Sequence, residues 1–292
     1  MIVTKEETTK RLALPLSDKI DLSLCRIEQW HDRWDGQIYI AFSGGKDSTA
    51  LMHLVRSVFP EIPAVFIQTG LEYPEINEFI KTCDNITTIK AKKTFRQVIE
   101  EYGYPIINKE NAQKLHEIRT TNSDKLRNKR LYGDEKGNGK LSKKWHYLID
   151  APFKISHQCC NQLKKYPAYA YERRSGRKPM LGTMIEESPL RWTTYRKYGC
   201  NMYDSKRPIS HPIAFWREED IWEYIKTFSL SYSKIYDMGY DRTGCMFCAF
   251  GVHRDTTPNR FQKMKITHPK LYDYCINNLG MRKVLDFIDV EY

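Results

Sequence analysis

A short apolar strand that runs directly into a glycine turn and then a helix constrains this chain more than any other feature. Gln37-Ile-Tyr-Ile-Ala-Phe42 reads as a buried strand, Ser43-Gly44-Gly45 as a tight turn, and Ser48 to Phe59 as a helix. The glycine pair lets the backbone turn sharply, so that successive N–H groups and the positive end of the helix converge on an anion. Lys46 adds a full positive charge, and Ser43 and Ser48 add hydroxyl donors. The loop is shorter than the Gly-x-x-x-x-Gly-Lys-Ser/Thr phosphate loop, so a different class of anion site is expected.

The same alternation continues downstream. Ala64-Val-Phe-Ile-Gln-Thr69 reads as a second strand with a helix from about Pro74, and Ile86-Thr-Thr-Ile-Lys90 as a third with a helix from Phe95 to Tyr102. Pro179 to Met184 is a further strand candidate, and Glu218 to Phe228 the clearest late helix. Strands alternating with helices predict an α/β class, a Rossmann-like doubly wound, mostly parallel sheet. Ile20, Leu24, Ile27, Trp30 and Trp34 recur at helical spacing behind Pro15 and Ser17, which predicts a helical segment over 1–35 packed on the core. The expected organisation is completed by a nucleotide-scale domain over 36–230 and a helical, cysteine-containing region over 231–292.

Charge is concentrated rather than spread. Residues 106–148 hold eleven Lys and Arg against five Asp and Glu, a surplus of +6 within the chain's +11, and read as a basic insertion. With Tyr132, Trp145 and Tyr147 among these cations, the segment is suited to track a phosphate backbone and stack on a base; a solvated surface is the alternative. The first ten residues contain no apolar run of signal-peptide type, and no stretch approaches the roughly 20 apolar residues of a membrane span. A cytoplasmic protein with no membrane partner is expected, in which eight cysteines point to metal or redox chemistry rather than disulfides.

Gly244-Cys245-Met-Phe-Cys248 places two thiols on one tight turn, and Cys159-Cys160 offers a second pair 84 residues upstream. Adjacent cysteines on a regular helix point about 100° apart, so a shared site requires a bend or a helix start at that point. Inert buried thiols, a structural zinc, a redox Cys-x-x-Cys and an iron-sulfur cluster are all compatible with this spacing. Cys25 and Cys83 read as core, Cys200 as a loop cysteine that is a possible sulfur carrier, and Cys275 as part of a helix. Trp216 and Trp222 also read as core.

Ser43-Gly-Gly-Lys-Asp-Ser48 resembles the pyrophosphate (PP) loop of the adenine-nucleotide alpha-hydrolase superfamily. Gln68-Thr-Gly-Leu-Glu-Tyr-Pro-Glu75, Gly182-Thr-Met-Ile-Glu-Glu-Ser-Pro-Leu-Arg191 and His211-Pro-Ile-Ala-Phe-Trp-Arg-Glu-Glu-Asp-Ile-Trp222 are similar, in order, to motifs of its phosphoadenosine phosphosulfate (PAPS) reductase family. The resemblance implies that Ser43, Gly44, Gly45, Lys46, Asp47 and Ser48 hold phosphates, with Gly70, Glu72 and Gly182 near the nucleotide. It also implies that Arg191 meets a phosphate or sulfate oxygen, so that Lys46, Asp47 and Arg191 are the catalytic candidates. Cys-Cys, about eighty residues and then Cys-x-x-Cys is similar to the cluster pattern of assimilatory adenylylsulfate (APS) reductases, which implies a [4Fe-4S] cluster on Cys159, Cys160, Cys245 and Cys248. Lys164 and Lys165 follow the first pair and would offset cluster charge or meet phosphate.

The chain departs from those reductases in one respect. Their catalytic cysteine sits in a Glu-Cys-Gly-Leu/Ile-His motif; here the cysteine after Cys248 is Cys275, in Leu271-Tyr-Asp-Tyr-Cys-Ile-Asn-Asn278. A thiolate poised to attack APS or PAPS is therefore missing. The resemblance then implies an ATP pyrophosphatase like those of DNA phosphorothioation or tRNA thiolation, using ATP and Mg²⁺, a cysteine desulfurase as sulfur donor and DNA or tRNA as acceptor. A sulfonucleotide reductase acting on APS or PAPS is the alternative, and a non-catalytic nucleotide- and DNA-binding module a third.

Overall fold

The structure, a computed structural model, describes residues 3–292. The chain divides into two compact units, one made of residues up to Ile67 with Tyr73–Ile89 and Ala168–Thr243, the other of Gln68–Glu72, Lys90–Pro167 and Gly244–Tyr292. Among the described residues no helix is long and apolar enough to cross a membrane.

The first unit holds the body of a six-stranded sheet in the order Ile86–Lys90, Ala64–Gln68, Ile38–Phe42, Lys178–Leu181, Ile209–Ser210, Asn201–Met202. Ile38–Phe42 is the central strand and pairs in parallel on both sides, Ile40 facing Ala64 on one and Met180 on the other. Lys178–Leu181 pairs in parallel with Ile209–Ser210, and Asn201–Met202 closes that edge antiparallel. Burial on both faces explains the unbroken apolar run: Ile38, Tyr39, Ile40 and Phe42 are all within 3% of full burial. From the central strand the chain first winds outward to Ala64–Gln68 and Ile86–Lys90, then resumes on the opposite side at Lys178–Leu181. The crevice at such a reversal opens at the carboxyl end of the central strand, where the glycine turn lies. The sheet is thus the mostly parallel, doubly wound α/β arrangement the alternation predicts.

Two local readings are corrected. The helix after the turn runs Lys46–Arg56, starting two residues earlier than Ser48, because Gly45 takes the N-cap position and its carbonyl accepts the Thr49 N–H at 3.0 Å. Lys46 and Asp47 therefore sit in the first helical turn. The N-terminal helix Leu16–Arg33 buries Lys19, Ser23, Ile27 and Trp30, a stripe one residue away from the apolar one expected at its start. Two polar positions are drawn in by distant partners: Lys19 pairs with Asp220 at 2.6 Å, and Ser23 accepts the Trp216 indole N–H at 2.9 Å. Cys25 consequently faces solvent instead of the core, while Cys83 is half-buried. Removing one partner of a buried pair such as Lys19–Asp220 typically costs about 3–5 kcal/mol.

In the second unit the basic segment opens with a two-residue strand, Ile106–Ile107, paired in parallel with Ala249–Phe250 just after the Cys-x-x-Cys turn. Helices Lys109–Thr120 and Asp124–Tyr132 follow, then a 3₁₀ helix over Lys143–Asp150. Ile106, Ala112, Leu115, Leu148, Phe261 and Val284 are fully buried in this unit, so residues 106–148 carry their own share of its core. The Cys pair lies where a helix begins, at Gln158–Cys160, and the next five residues, Asn161–Lys165, form a π turn. Both devices that let adjacent cysteines face one site are present together, and π turns frequently mark functional positions.

Candidate functional site

The loop Ser43–Ser48 is braced by its own side chains. Ser48 Oγ accepts the Ser43 N–H at 3.2 Å, lies 3.1 Å from Ser43 Oγ, and donates to the Gly45 carbonyl at 2.9 Å. Gly44 adopts φ 73°, and a Cβ there would meet Ile76 and Ile80 at 2.9–3.0 Å, so glycine is required on both counts. Gly182 also belongs to this geometry: a Cβ on it would stand 2.8 Å from the Asp47 carbonyl, and its absence lets the two backbones touch.

Lys46 is only 4% exposed, an unusual environment for an ammonium that requires compensation. Its Nζ donates to the Asp241 carbonyl at 2.8 Å and pairs with the Glu218 carboxylate at 3.1 Å, with the Tyr236 and Trp222 rings at 5.3 and 5.9 Å. Its backbone N–H donates to the Tyr236 hydroxyl at 2.8 Å. The helix start and the lysine thus already hold an oxygen each, supplied by Tyr236 and Glu218. A phosphate presents the same oxygens, with more charge, to the same donors.

Asp47 is shaped differently. Its Oδ1 is buried with no hydrogen-bond partner among the described residues, and the Lys46 ammonium lies 3.9 Å away. Burial raises its pKa above the ordinary carboxylate value, and only in part do Lys46, Arg242 and Arg191 pull it back. An acceptor-only oxygen held without a donor is a natural ligand for a hard cation. Arg191 is half-buried at the start of helix Pro189–Tyr198 and paired with Glu187, which also lies 3.5 Å from Arg242. Burial and the neighbouring Arg242 hold the Arg191 guanidinium below its usual pKa. Arg191 is thus within electrostatic reach of Asp47, though it spends its direct contact on Glu187.

Sequence reading missed Glu218, Tyr236, Asp241, Arg242 and Thr243, and placed Trp222 in the core. Trp216 is fully buried, but Trp222 is half-buried, edge-on to Tyr232 and Tyr236 beside Lys46. The available signal was position: Glu218 and Trp222 end one of the motif segments, and Asp241 to Thr243 directly precede Cys245.

The second unit holds the cysteines and the Gly70–Glu72 turn. The Glu72 carboxylate accepts the Thr69 and Gly70 N–H groups at 3.1 and 3.0 Å and the Thr69 hydroxyl at 2.6 Å, so it shapes this turn. Gly70 has φ 76° and open space where a Cβ would lie. The Met246 N–H donates to the Leu71 carbonyl at 2.9 Å, which fastens the Cys-x-x-Cys turn to the Gly70–Glu72 turn. The fold brings Cys159, Cys160, Cys245 and Cys248 within mutual electrostatic reach: burial, then the charges of Cys245, Cys160 and Cys248, raise the Cys159 thiol. Cys248 is pushed up to about 12 by burial and by Cys245. The Lys164 ammonium is held above its usual pKa chiefly by the Cys245 thiolate, with which it hydrogen-bonds. Thiols that mutually resist ionisation are relieved by a bound cationic centre. Among the described residues, however, no group of three or more His, Cys, Asp or Glu is drawn together tightly enough to hold a metal ion.

The remaining cysteines are not placed for chemistry. Cys275 is fully buried within the π turn Tyr274–Asn278, and burial raises its thiol pKa. Cys200 is 3% exposed and is pushed up to about 11 by burial.

Comparison with known proteins gives a consistent result. The phosphoadenosine phosphosulfate reductase domain matches residues 37–250. An uncharacterised protein of Methanocaldococcus jannaschii is 23% identical over 265 residues, 88% of this chain and 52% of that one. A second from the same organism is covered over 42% of its length, so the chain spans about half the length of these curated relatives. An adenosine 5′-phosphosulfate reductase of Shouchella clausii is 24% identical over 75% of this chain and 76% of its own. A phosphoadenylyl-sulfate reductase structure from Candida auris, a phosphate complex, aligns over 84% of this chain and 97% of that one, with 13% identity and a TM-score of 0.46.

Proposed function

This chain belongs to the phosphoadenosine phosphosulfate reductase family, and we propose that within it the chain acts as an ATP pyrophosphatase that activates a nucleic acid for sulfur transfer. The observation that carries this reading is the burial of Cys275. The cysteine following Cys248 is fully enclosed and its thiol is raised by burial, the opposite of an activated nucleophile. The anion cradle around Lys46, by contrast, is complete.

In this mechanism an oxygen of the acceptor attacks the ATP α-phosphorus and pyrophosphate leaves. Sulfur from a cysteine desulfurase then displaces AMP, which carries that oxygen away. The N–H groups of the Gly44–Ser48 turn and the Lys46 ammonium would receive phosphate oxygens as Tyr236 and Glu218 withdraw. Arg191, released from Glu187, would add charge to the departing pyrophosphate. Asp47 Oδ1 is suited to Mg²⁺, which would neutralise phosphate charge. The acceptor, DNA or tRNA, would be held by residues 106–148.

A [4Fe-4S] cluster fits Cys159, Cys160, Cys245 and Cys248. Zinc–sulfur bonds of about 2.3 Å set thiolates roughly 4 Å apart, whereas a cubane spaces its ligands more widely. Four thiols that sense one another without closing on a single ion accord with the wider set. Lys164 would stand beside the Cys245 ligand and offset negative charge. Such a cluster supplies sulfur handling, electron transfer or bracing of the site.

The test is release of pyrophosphate from ATP by anaerobically prepared protein, with and without acceptor and desulfurase. Pyrophosphate with AMP as the second product is expected; no release under any of these conditions overturns the reading. A second reading, sulfonucleotide reduction, is favoured by relatives named as adenosine 5′-phosphosulfate reductases. Sulfite release from APS would single it out.

A further inference from the structure

The basic segment was singled out by its charge count, but the structure separates cations that hold the protein together from those that face outward. Arg130 pairs with Glu117 and donates to the Gly139 carbonyl, and Arg127 donates to the Thr121 and Ile118 carbonyls. Arg119 donates to the carbonyls of Phe153 and Ala151, and Lys114 to that of Lys140. These four residues brace helices Lys109–Thr120 and Asp124–Tyr132 against the following loop.

The braced elements enclose a groove of about 890 Å³, toward the upper end of the roughly 300–1,000 Å³ range of ligand sites. Lys140, Lys143, His146 and Tyr132 line it. Its one lining carboxylate, Glu110, is already paired with Lys114 at 2.5 Å. Lys140 and Lys143 are exposed and have no ion-pair partner among the described residues, so the rim presents uncompensated positive charge. Tyr132 is 74% exposed, an aromatic face offered to solvent beside those cations.

One residue beyond the groove-lining His146, Tyr147 is 44% exposed and stacks on Phe287, itself 36% exposed, with ring centres 5.8 Å apart. Lys144 lies over the Trp145 ring at 4.9 Å. Exposed rings interleaved with unpaired lysines answer two features of a nucleic acid at once, its base faces and its phosphates. The base faces are accessible only where the strand is unpaired, because in a duplex they are stacked on one another and only phosphates and groove edges remain.

We infer that this groove binds an unpaired nucleic-acid strand, with phosphates on Lys140 and Lys143 and bases on Tyr132 and the Tyr147–Phe287 stack. The inference rests on the nucleic-acid acceptor of the proposed function and specifies its state as single-stranded, whether a stretch of opened DNA or a loop of RNA.

The test is fluorescence anisotropy of the full chain with labelled 20-nucleotide DNA and RNA strands and the matching DNA duplex, at two salt concentrations. A single strand is expected to bind at least tenfold more tightly than the duplex, and the preference between DNA and RNA identifies the source. Lys140→Glu with Lys143→Glu should weaken binding at least tenfold and reduce the salt slope by about two. Tyr132→Ala and Tyr147→Ala should each weaken strand binding by about five- to hundredfold while leaving duplex binding nearly unchanged. Unchanged thermal melting would show that these surface variants fold. Equal binding of duplex and strand, indifference to the variants, or no binding overturns the inference. Pyrophosphate release in the same preparations is read separately: release without strand binding overturns the inference alone, and strand binding without release overturns only the proposed function.

Discussion

The Tyr236 hydroxyl accepts the backbone N–H of Lys46 at 2.8 Å, so a side chain 190 positions away occupies the anion position at the start of helix Lys46–Arg56. Burial raises the Tyr236 pKa, and the hydroxyl also hydrogen-bonds Thr243, which stands 2.6 Å from where a Cβ on Gly45 would lie. A bound phosphate oxygen must compete with this hydroxyl. Tyr236→Phe is expected to tighten ATP binding about fivefold while lowering stability by about 1 kcal/mol, the worth of one hydrogen bond. Titration calorimetry and denaturant melts measure both; weaker binding would mean that the hydroxyl itself contacts the nucleotide.

Lys46→Met keeps the side chain's length and removes its charge. Nucleotide affinity and pyrophosphate release should both fall, the latter by about 10²–10³, as for loss of a donor to a charged transition state. Circular dichroism should show the fold intact, since Glu218 is half-exposed and can turn to water. Near-normal turnover in this variant would remove Lys46 from the chemistry.

His211 predicts the acid behaviour of the first unit. Burial, reinforced by Arg191 and Arg207, lowers its pKa from 6.5 to about 4, and its Nδ1 lies 2.6 Å from the Thr183 hydroxyl. A depressed folded pKa in a base favours the neutral form, so the stability it contributes is present above pH 6.5 and lost as pH falls from 6.5 toward 4. The loss should approach roughly 3 kcal/mol. Denaturant melts across this range should show a shallower acid limb for His211→Asn; parallel limbs would contradict the assignment.

Cys275→Ala should cost about 1–2 kcal/mol through the small cavity it leaves and should not alter pyrophosphate release. Sulfite release from APS or PAPS should be absent in both proteins. A sulfite signal that disappears with Cys275→Ala would establish the thiol as a nucleophile and reverse the proposed function.

Anaerobically purified protein should be brown, with about four irons per chain. Cys159→Ser or Cys245→Ser should lower the iron content sharply while ATP binding persists. Lys164→Met should retain iron but shift the reduction potential to more negative values, because a cation beside the Cys245 sulfur is removed. Colourless protein with one zinc per chain would exclude the cluster.

Much of the phosphate loop was legible in the sequence because its determinants are local. An apolar run sets a strand, Gly44 alone tolerates the left-handed turn, and the hydroxyls of Ser43 and Ser48 lie within reach of their own backbone. The pairing of Cys159-Cys160 with Cys245 and Cys248 was suggested by spacing and resemblance, but their approach depends on the helix start at Gln158 and the π turn after Cys160. Tertiary structure alone decided that Glu218, Tyr236 and Asp241 surround Lys46, that Lys19 and Ser23 turn inward while Cys25 faces out, and that Arg127 and Arg130 brace the basic segment while Lys140 and Lys143 remain available. The physical reason is the same throughout. Backbone conformation follows from neighbours in sequence, whereas the partner of a charge or a polar group is whatever the fold brings within a few ångströms, here often from more than 170 residues away.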